Sequence, residues 1–239
     1  MSSKFHYTLV LPAYQAEKTL KAVYDEIIAL RLVHRIIIVD DTSRDQTFTL
    51  AQSLPLVEAY RHPKNQGYGG NQKTCFQIAL QKETDFIIML HPDGQHPPSL
   101  LPRIIQKLEE GASVVLASRM LEGNPLQEGM PWLKYYVNRG LTNFQNYFFR
   151  RKLTEYHTGY RAYSREILEK INFRELSNGF LFDNEMLCKI ILQGIPIAEI
   201  PCPTIYRPEN SSIDFMNCIY YLLGCLRNTF QYGFRMRFH

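Results

Sequence analysis

The sequence predicts an α/β fold, a mostly parallel sheet with helices on both faces. Two observations predict it. Short runs rich in Val, Ile and Leu end in polar loops, and the stretches between them carry apolar residues at helical spacing. This alternation recurs through the first half of the chain, as strand–helix–strand crossovers require.

Strands are expected at residues 7–11, 36–40, 56–60, 86–90 and 114–117. The helix after the first strand sets Leu20, Val23, Ile27, Ile28 and Leu30 on one face that packs on the sheet. The next helix begins at Ser43-Arg44-Asp45-Gln46, where Ser43 and Gln46 have the spacing of a capping box. The stretch NQGYGG from Asn65 to Gly70 lacks G-x-G-x-x-G and reads as a tight turn. Lys73, just after it, either faces a phosphate or lies solvated on a helix. Beyond Met120 the alternation weakens into a loop with Gly123, Pro125, Gly129 and Pro131, and an aromatic helix follows over residues 132–150. Helices at 164–171 and 183–192 and a last strand near 197–200 complete the reading. Without a linker or repeat, one domain is expected over residues 1–213, in halves 1–119 and 120–213, followed by an amphipathic helix over 214–239.

The 239 residues are 45% hydrophobic and 21% charged, which points to a folded, mostly soluble protein and against a disordered chain. A net charge of +4 is too weak and too dispersed for a nucleic-acid binder and suits an anionic small ligand or a membrane surface. Five cysteines without a C-x-x-C pair suggest neither a disulfide framework nor a zinc site, so a reducing cytoplasm is expected. The apolar N-terminal stretch is too short for a signal sequence, and the longest apolar run, 215–226, is too short to span a bilayer. The C-terminal stretch places Phe215, Ile219, Leu222, Leu223, Leu226 and Phe230 along one helical face, with Arg227, Arg235 and Arg237 toward the end. Such a face packs on its own domain, forms a homodimer contact, or lies in a membrane interface at the inner face of the membrane.

Chemistry concentrates where strands end. FIIMLHPDGQHPP delivers His91, Asp93, Gln95 and His96 directly after a buried strand. Read alone, this is a turn that leads into a helix at Pro97-Pro98. Asp40 and Asp41 lie at the same sheet edge, where open α/β sheets bind ligands, so two carboxylate loops converge on one crevice. They would bind a metal, a ribose or both.

In order, LPAY, IIIVDDTSRDQT, NQGYGGNQKT and HPDGQHPP resemble the motifs of family 2 glycosyltransferases, from about residue 7 to residue 213. HTGYRAYSREIL and FLFDNEM are similar to the polyprenyl-phosphate hexosyltransferase subgroup that includes dolichol-phosphate mannose synthase. The resemblance implies a GT-A type, Rossmann-like fold and an inverting transfer of a hexose from a nucleoside diphosphate sugar to a polyprenyl phosphate or a glycan hydroxyl. Residues 1–119 would bind the nucleotide and 120–213 the acceptor. Pro12, Tyr14, Val39 and Asp41 would hold base and ribose, although Tyr14 also reads as a half-buried loop aromatic. Uridine and guanosine nucleotides both fit, uridine somewhat better.

The family's metal motif, Asp-x-Asp, is here His91-Pro92-Asp93, so the resemblance carries a divalent cation, Mn²⁺ or Mg²⁺, to Asp93. His91 is either a second ligand through neutral imidazole or a hydrogen-bonding loop residue. Arg119 and Arg207 match basic positions near the donor diphosphate, but the lysine that follows in dolichol-phosphate synthases is missing near Ser211 and Ser212. Asp183 matches the catalytic base of members that act on hydroxyls, yet an Asp at a helix start also caps free N–H groups. The alternative function is a nucleotide-sugar-binding protein with little turnover, suggested by His91. A nucleotidyltransferase is disfavoured, because LPAYQAEKTL replaces the Gly-rich triphosphate loop.

Overall fold

The structure is a computed structural model that describes residues 4–122, 124–203, 215–233 and 236. In chain order it runs β1 (Tyr7–Ala13), α1 (Leu20–Leu30), β2 (Arg35–Asp40), α2 (Thr47–Ser53), β3 (Val57–Arg61), α3 (Tyr68–Leu80), β4 (Phe86–Met89), α4 (Leu101–Glu109) and β5 (Val114–Ser118). α5 (Trp132–Phe149), β6 (Arg161–Ser164), α6 (Arg165–Lys170), α7 (Phe182–Leu192), β7 (Ala198–Pro201) and α8 (Phe215–Asn228) follow.

The strands form one sheet in the order β3-β2-β1-β4-β6-β5-β7. All neighbours are parallel except β6, which runs antiparallel to both β4 and β5. Alternation of side chains along each strand supplies both faces. Leu9 and Leu11 of β1 join α1 and α4 in one core, through Leu20, Val23, Ile104 and Leu108. Val10 joins α3, α6 and α7 in the other, through Phe76, Ile167, Met186 and Ile190. Helices therefore cover both faces, as expected. Strands buried on both sides read as continuous apolar runs, and every such run identified in the sequence is a strand.

β6 was not expected. Its sequence, RAYS, is no apolar run, because Arg161 is buried there on hydrogen bonds rather than by apolar character. Its direction matters for the site. In an antiparallel strand the N-terminal end lies beside the C-terminal ends of its parallel neighbours, and Arg161 pairs with Met89 at the end of β4. The HTGYR loop and the HPDGQ loop thus meet at one sheet edge.

Three local expectations change. The capping box does not form: α2 starts at Thr47, Ser43 Oγ accepts instead from Gln15 N, and Asp45 Oδ1 accepts from Thr47 N. NQGYGG is no simple turn, since only Gly67 has positive φ, at 82°, and α3 begins at Tyr68. Lys73 is neither solvated nor aimed at a phosphate. It is 8% exposed and donates to the carbonyls of Arg174 and Leu176 and to Asn178 Oδ1, tying α3 to the segment before α7.

α8 packs only partly through the expected stripe, whose Ile219, Leu222 and Leu226 are half-buried, and seats more deeply on the neighbouring positions. Cys225, Asn228 and Thr229 are buried, and Gly224 lies against Leu181, where a Cβ would approach to 2.8 Å. Leu223 and Phe230 remain 57% and 53% exposed, the latter with its ring against Phe144 and Phe148 of α5. Trp132, Leu133, Tyr136 and Val137 on α5 are exposed as well. The described cysteines form no disulfide, and among the described residues no helix is long and apolar enough to cross a membrane. Arg235 and Arg237 lie outside the described residues.

Gly69 sits where α3 meets the segment before α7: a Cβ there would stand 2.5 Å from Phe182 Cβ and 2.5 Å from the Ser177 carbonyl oxygen. Alanine favours a helix by about 1 kcal/mol over glycine. That gain is smaller than the clash, because a backbone carbonyl cannot swing aside. Gly69→Ala is expected to lower the unfolding free energy in urea by about 1 to 3 kcal/mol; an unchanged midpoint would show that the two segments separate without cost.

Candidate active site

The site begins where β4 stops. Leu90 N still bonds to Val10 O, and the chain then turns through Gly94 at φ 71°. Asp93 is half-buried at this turn, its Oδ1 accepting from Gln95 N at 2.9 Å. Thr19 Oγ1 holds the loop from the other side through the Pro92 carbonyl. His96 is buried, and its imidazole is pushed down to about 3 by burial first and then by the positive charge of Arg119, so it stays neutral.

At the end of β2 two carboxylates are committed to the fold. Asp40 accepts from Ser43 N and pairs with Arg61 Nε at 3.2 Å. Asp41 is 3% exposed; its Oδ1 accepts from Gln66 N at 2.7 Å and faces His62 Nδ1 at 2.8 Å, while Oδ2 accepts from Gly67 N at 3.0 Å. It therefore shapes the loop that leads into Tyr68. Pro12 and Val39 pair across β1 and β2, and Val39 is wholly buried in the core with its carbonyl accepting from Asn71 Nδ2. Tyr14 stands 52% exposed just past the end of β1.

Asp183 lies in the first turn of α7, 6% exposed. Tyr68 donates its hydroxyl proton to Asp183 Oδ2 at 2.7 Å, and the same hydroxyl oxygen is 2.9 Å from His91 Nε2. The Tyr68 and His91 rings stack with centroids 5.1 Å apart. An ionised carboxylate only accepts hydrogen bonds, and a hydroxyl has a single proton. With that proton on Asp183, the His91 contact requires a proton on Nε2, and ligation of a cation would fall to Nδ1. Arg161, wholly buried, donates to the carbonyls of Thr158, Asp183 and Tyr156, and its Nε lies 4.0 Å from Asp183 Oδ1. Glu185, two residues on in the same turn, accepts from Ser177 N.

Arg119 is 5% exposed and locked to Glu155, which accepts from its main-chain N and its guanidinium. Burial pushes the Glu155 carboxyl up, but the charge and hydrogen bonds of Arg119, with Asn138, outweigh that and hold it at about 2. His157, pushed down to about 4 by burial, contacts Tyr221 Oη of α8 at 2.7 Å through Nδ1. The C-terminal helix is thereby fastened to the HTGYR loop. Arg207 lies outside the described residues.

The structure joins the Asp93 loop to Asp183 through His91 and Tyr68, and holds Arg119 in its ion pair with Glu155. Sequence reasoning missed Tyr68, Glu155 and Arg161 as site residues. Tyr68 was hidden in a glycine-rich stretch, and Arg161 carried a signal only through the HTGYR motif. Glu155 carried none.

A sheet of this order, with ligand-type loops at the carboxyl ends of its parallel strands, is the framework of GT-A glycosyltransferases. The crystal structure of glucosyl-3-phosphoglycerate synthase from Mycobacterium tuberculosis, in complex with Mn²⁺, uridine diphosphate and phosphoglyceric acid, superimposes with a TM-score of 0.73 at 16% identity, over 96% of this chain and 79% of that one. The chain belongs to glycosyltransferase family 2, whose model, "Glycosyl transferase family 2", matches residues 8–172. It is 26% identical over 200 residues to the polyprenol monophosphomannose synthase of Mycolicibacterium smegmatis, covering 81% of this chain and 75% of that protein. It is 28% identical over 251 residues to the UDP-N-acetylglucosamine–dolichyl-phosphate N-acetylglucosaminyltransferase of Methanococcus voltae, covering 95% and 98%.

The Arg119–Glu155 pair generates a test. Glu155→Gln leaves a buried guanidinium without its counter-charge, and is expected to cost about 3 to 5 kcal/mol in chemical denaturation near neutral pH. The folded carboxyl is depressed, so its contribution is present above the unfolded value and is lost as pH falls through about 2. The Gln variant should therefore lack that part of the wild-type acid transition. Equal stability of the two proteins at pH 7 would refute the pairing.

Proposed function

We propose that this chain is an inverting, metal-dependent hexosyltransferase that moves a sugar from a nucleoside diphosphate donor to a membrane-borne acceptor, a polyprenyl phosphate. The observation that carries the catalytic reading is the link from the Asp93 loop to Asp183 through His91 and Tyr68, which sets a donor-side and an acceptor-side carboxylate at one edge. The names of the polyprenol and dolichyl phosphate transferases support the acceptor class. So do the exposed Trp132, Leu133, Tyr136 and Leu223 on two helices, one of them joined to the site by His157, which suit a membrane surface reached from the cytoplasmic side.

The residues fit a divalent cation only in part. Among the described residues no group of three His, Cys, Asp or Glu could hold one alone. Asp93, with His91 Nδ1 beside it, would instead share the cation with the diphosphate oxygens, as carboxylate sites for Mg²⁺ and Mn²⁺ commonly do. A cation held there supplies electrostatic stabilisation of the departing diphosphate. The chain's own residues do the rest. Asp41 shapes the nucleotide end through the 65–67 loop, with Pro12 and Tyr14 at the end of β1 beside it, and Arg207 adds positive charge toward the diphosphate; Val39 backs the site from the core, and Arg119 is already neutralised by Glu155. An acceptor phosphate is already anionic at neutral pH and attacks the anomeric carbon without a base.

A second reading has its own observation. Asp183 Oδ1 is buried and has no hydrogen-bond partner, whereas Oδ2 is taken by Tyr68. An oxygen so placed suits a proton acceptor for a sugar hydroxyl. In that case the hydroxyl proton passes to Oδ1 as its oxygen bonds to the anomeric carbon, and the bond to the diphosphate breaks with its electron pair leaving on the phosphate oxygen.

One experiment tests function and acceptor together. Release of nucleoside diphosphate is measured with UDP- and GDP-hexoses, Mn²⁺ or Mg²⁺, and either polyprenyl phosphate in liposomes or soluble glycan. Mn²⁺ is expected to support turnover at lower concentration than Mg²⁺, since imidazole favours the softer ion. Asp93→Ala is expected to lose metal-dependent turnover by roughly 100-fold or more, with unchanged thermal stability. Asp183→Asn should spare transfer to a phosphate and abolish transfer to a hydroxyl. Tight donor binding without any turnover would leave a binding protein, and full activity of Asp93→Ala would remove the catalytic centre from this loop.

A further inference from the structure

We propose that Tyr68 is the positioning residue of the acceptor-side carboxylate: its hydroxyl occupies Asp183 Oδ2, takes its own direction from His91 Nε2–H, and so presents Oδ1 as the proton-accepting oxygen. This rests on the reading of Asp183 as a base for a hydroxyl acceptor and adds the group that makes it one.

The geometry is directional. Tyr68 Oη donates to Oδ2 at 2.7 Å and receives from His91 at 2.9 Å. An ionised carboxylate oxygen can only accept, so the Tyr68 proton lies on the line to Asp183 Oδ2 and the hydroxyl is the donor there. The carboxylate has a second anchor in Arg161, which donates to the main-chain carbonyl of Asp183 at 2.8 Å and keeps its Nε 4.0 Å from Oδ1, beyond hydrogen-bond range. One carboxylate oxygen is therefore hydrogen-bonded, whereas the other is buried without a hydrogen bond and has only the Arg161 ion pair beside it. The phenol ring packs against two others, 5.0 Å from Phe180 and 5.1 Å from His91. Gly159 closes the remaining side: a Cβ there would stand 2.9 Å from His91 Cδ2 and 3.3 Å from Tyr68 Oη. Tyr68, His91, Gly159 and Asp183 come from four separate segments, and the hydroxyl of Tyr68 is the atom that touches two of the others.

Proton and electron movements follow directly. The acceptor O–H gives its proton to Oδ1 while its oxygen pair forms the new bond to the anomeric carbon, and the diphosphate leaves with the pair of the broken bond. Tyr68 loses no proton. It holds Oδ2 so that the carboxylate cannot rotate, and a misplacement of about 1 Å in such a group costs roughly 100-fold in rate.

Tyr68→Phe keeps both ring contacts and removes only the hydroxyl. The expected result, with a hydroxyl acceptor, is a fall in kcat of roughly 10- to 100-fold, with donor KM and the calorimetric Kd of the nucleoside diphosphate in Mn²⁺ unchanged. In an Asp183→Asn background the same substitution should have no further effect, because a residue that acts through Asp183 has nothing left to position. Gly159→Ala, which crowds His91 and Tyr68 with a single methyl, should reproduce the kcat loss in milder form and serves if the Phe variant does not fold. Wild-type kcat in Tyr68→Phe, or losses that add in the double variant, would overturn the proposal. Full hydroxyl transfer by Asp183→Asn would overturn the base reading itself, a result distinct from a failure at Tyr68 alone.

Discussion

A guanidinium sealed from solvent must find acceptors inside the protein, and Arg161 finds them on the carbonyls of Tyr156, Thr158 and Asp183. Those carbonyls belong to the 156–158 stretch that opens the HTGYR loop and to the first turn of α7. Without the guanidinium at their centre, the loop carbonyls would face the helix start at the sheet edge without a donor, at a cost of about 1 to 3 kcal/mol for each group left buried and unpaired. With it, α7 has a fixed starting point. The orientation of Asp183, the approach of Tyr68 and the stacking of His91 all follow from that.

The glycines of NQGYGG do the complementary work. Gly67 supplies the positive φ that ends the loop held by Asp41, and Gly69 and Gly70 let α3 start against the carbonyl of Asn178, which accepts from both of their N–H groups. Lys73 then secures the same segment one turn later. A loop shaped by the carboxylate Asp41 thus leads, within a few residues, to the hydroxyl that holds Asp183. The end of β2 and the first turn of α7 are joined through one short helix start.

The central strands were legible because burial on both faces writes itself as unbroken Val, Ile and Leu. β6 was not, since its place in the sheet depends on Arg161 and on no apolar signal. At the site, strand ends pointed to Asp93 and Asp41 without help from the fold. Tyr68 could not be found that way: its bond to Asp183 joins residues 115 apart in sequence, and a tyrosine beside glycines carries no mark of its partner. Arg119 could be placed near the edge, but the counter-charge that buries it, Glu155, lies 36 residues on in a stretch without pattern. The spacing of Ser43 and Gln46 misled because Asp40 takes the Ser43 N–H and Glu17 the Gln46 N–H that a capping box would serve.

The inserted, reversed strand has a consequence for how the chain assembles. β5 pairs only with β6 and β7, both of which come later in sequence, and never with β4, its predecessor in the chain. As the polypeptide leaves the ribosome, β1 to β4 can associate on arrival, whereas β5 emerges as an unpaired edge of Val, Leu and Ala with no partner yet synthesised. Such edges invite pairing with other chains. The wait lasts until Arg161 and the residues after it arrive, and the same insertion that completes the sheet also brings the HTGYR loop to the HPDGQ loop.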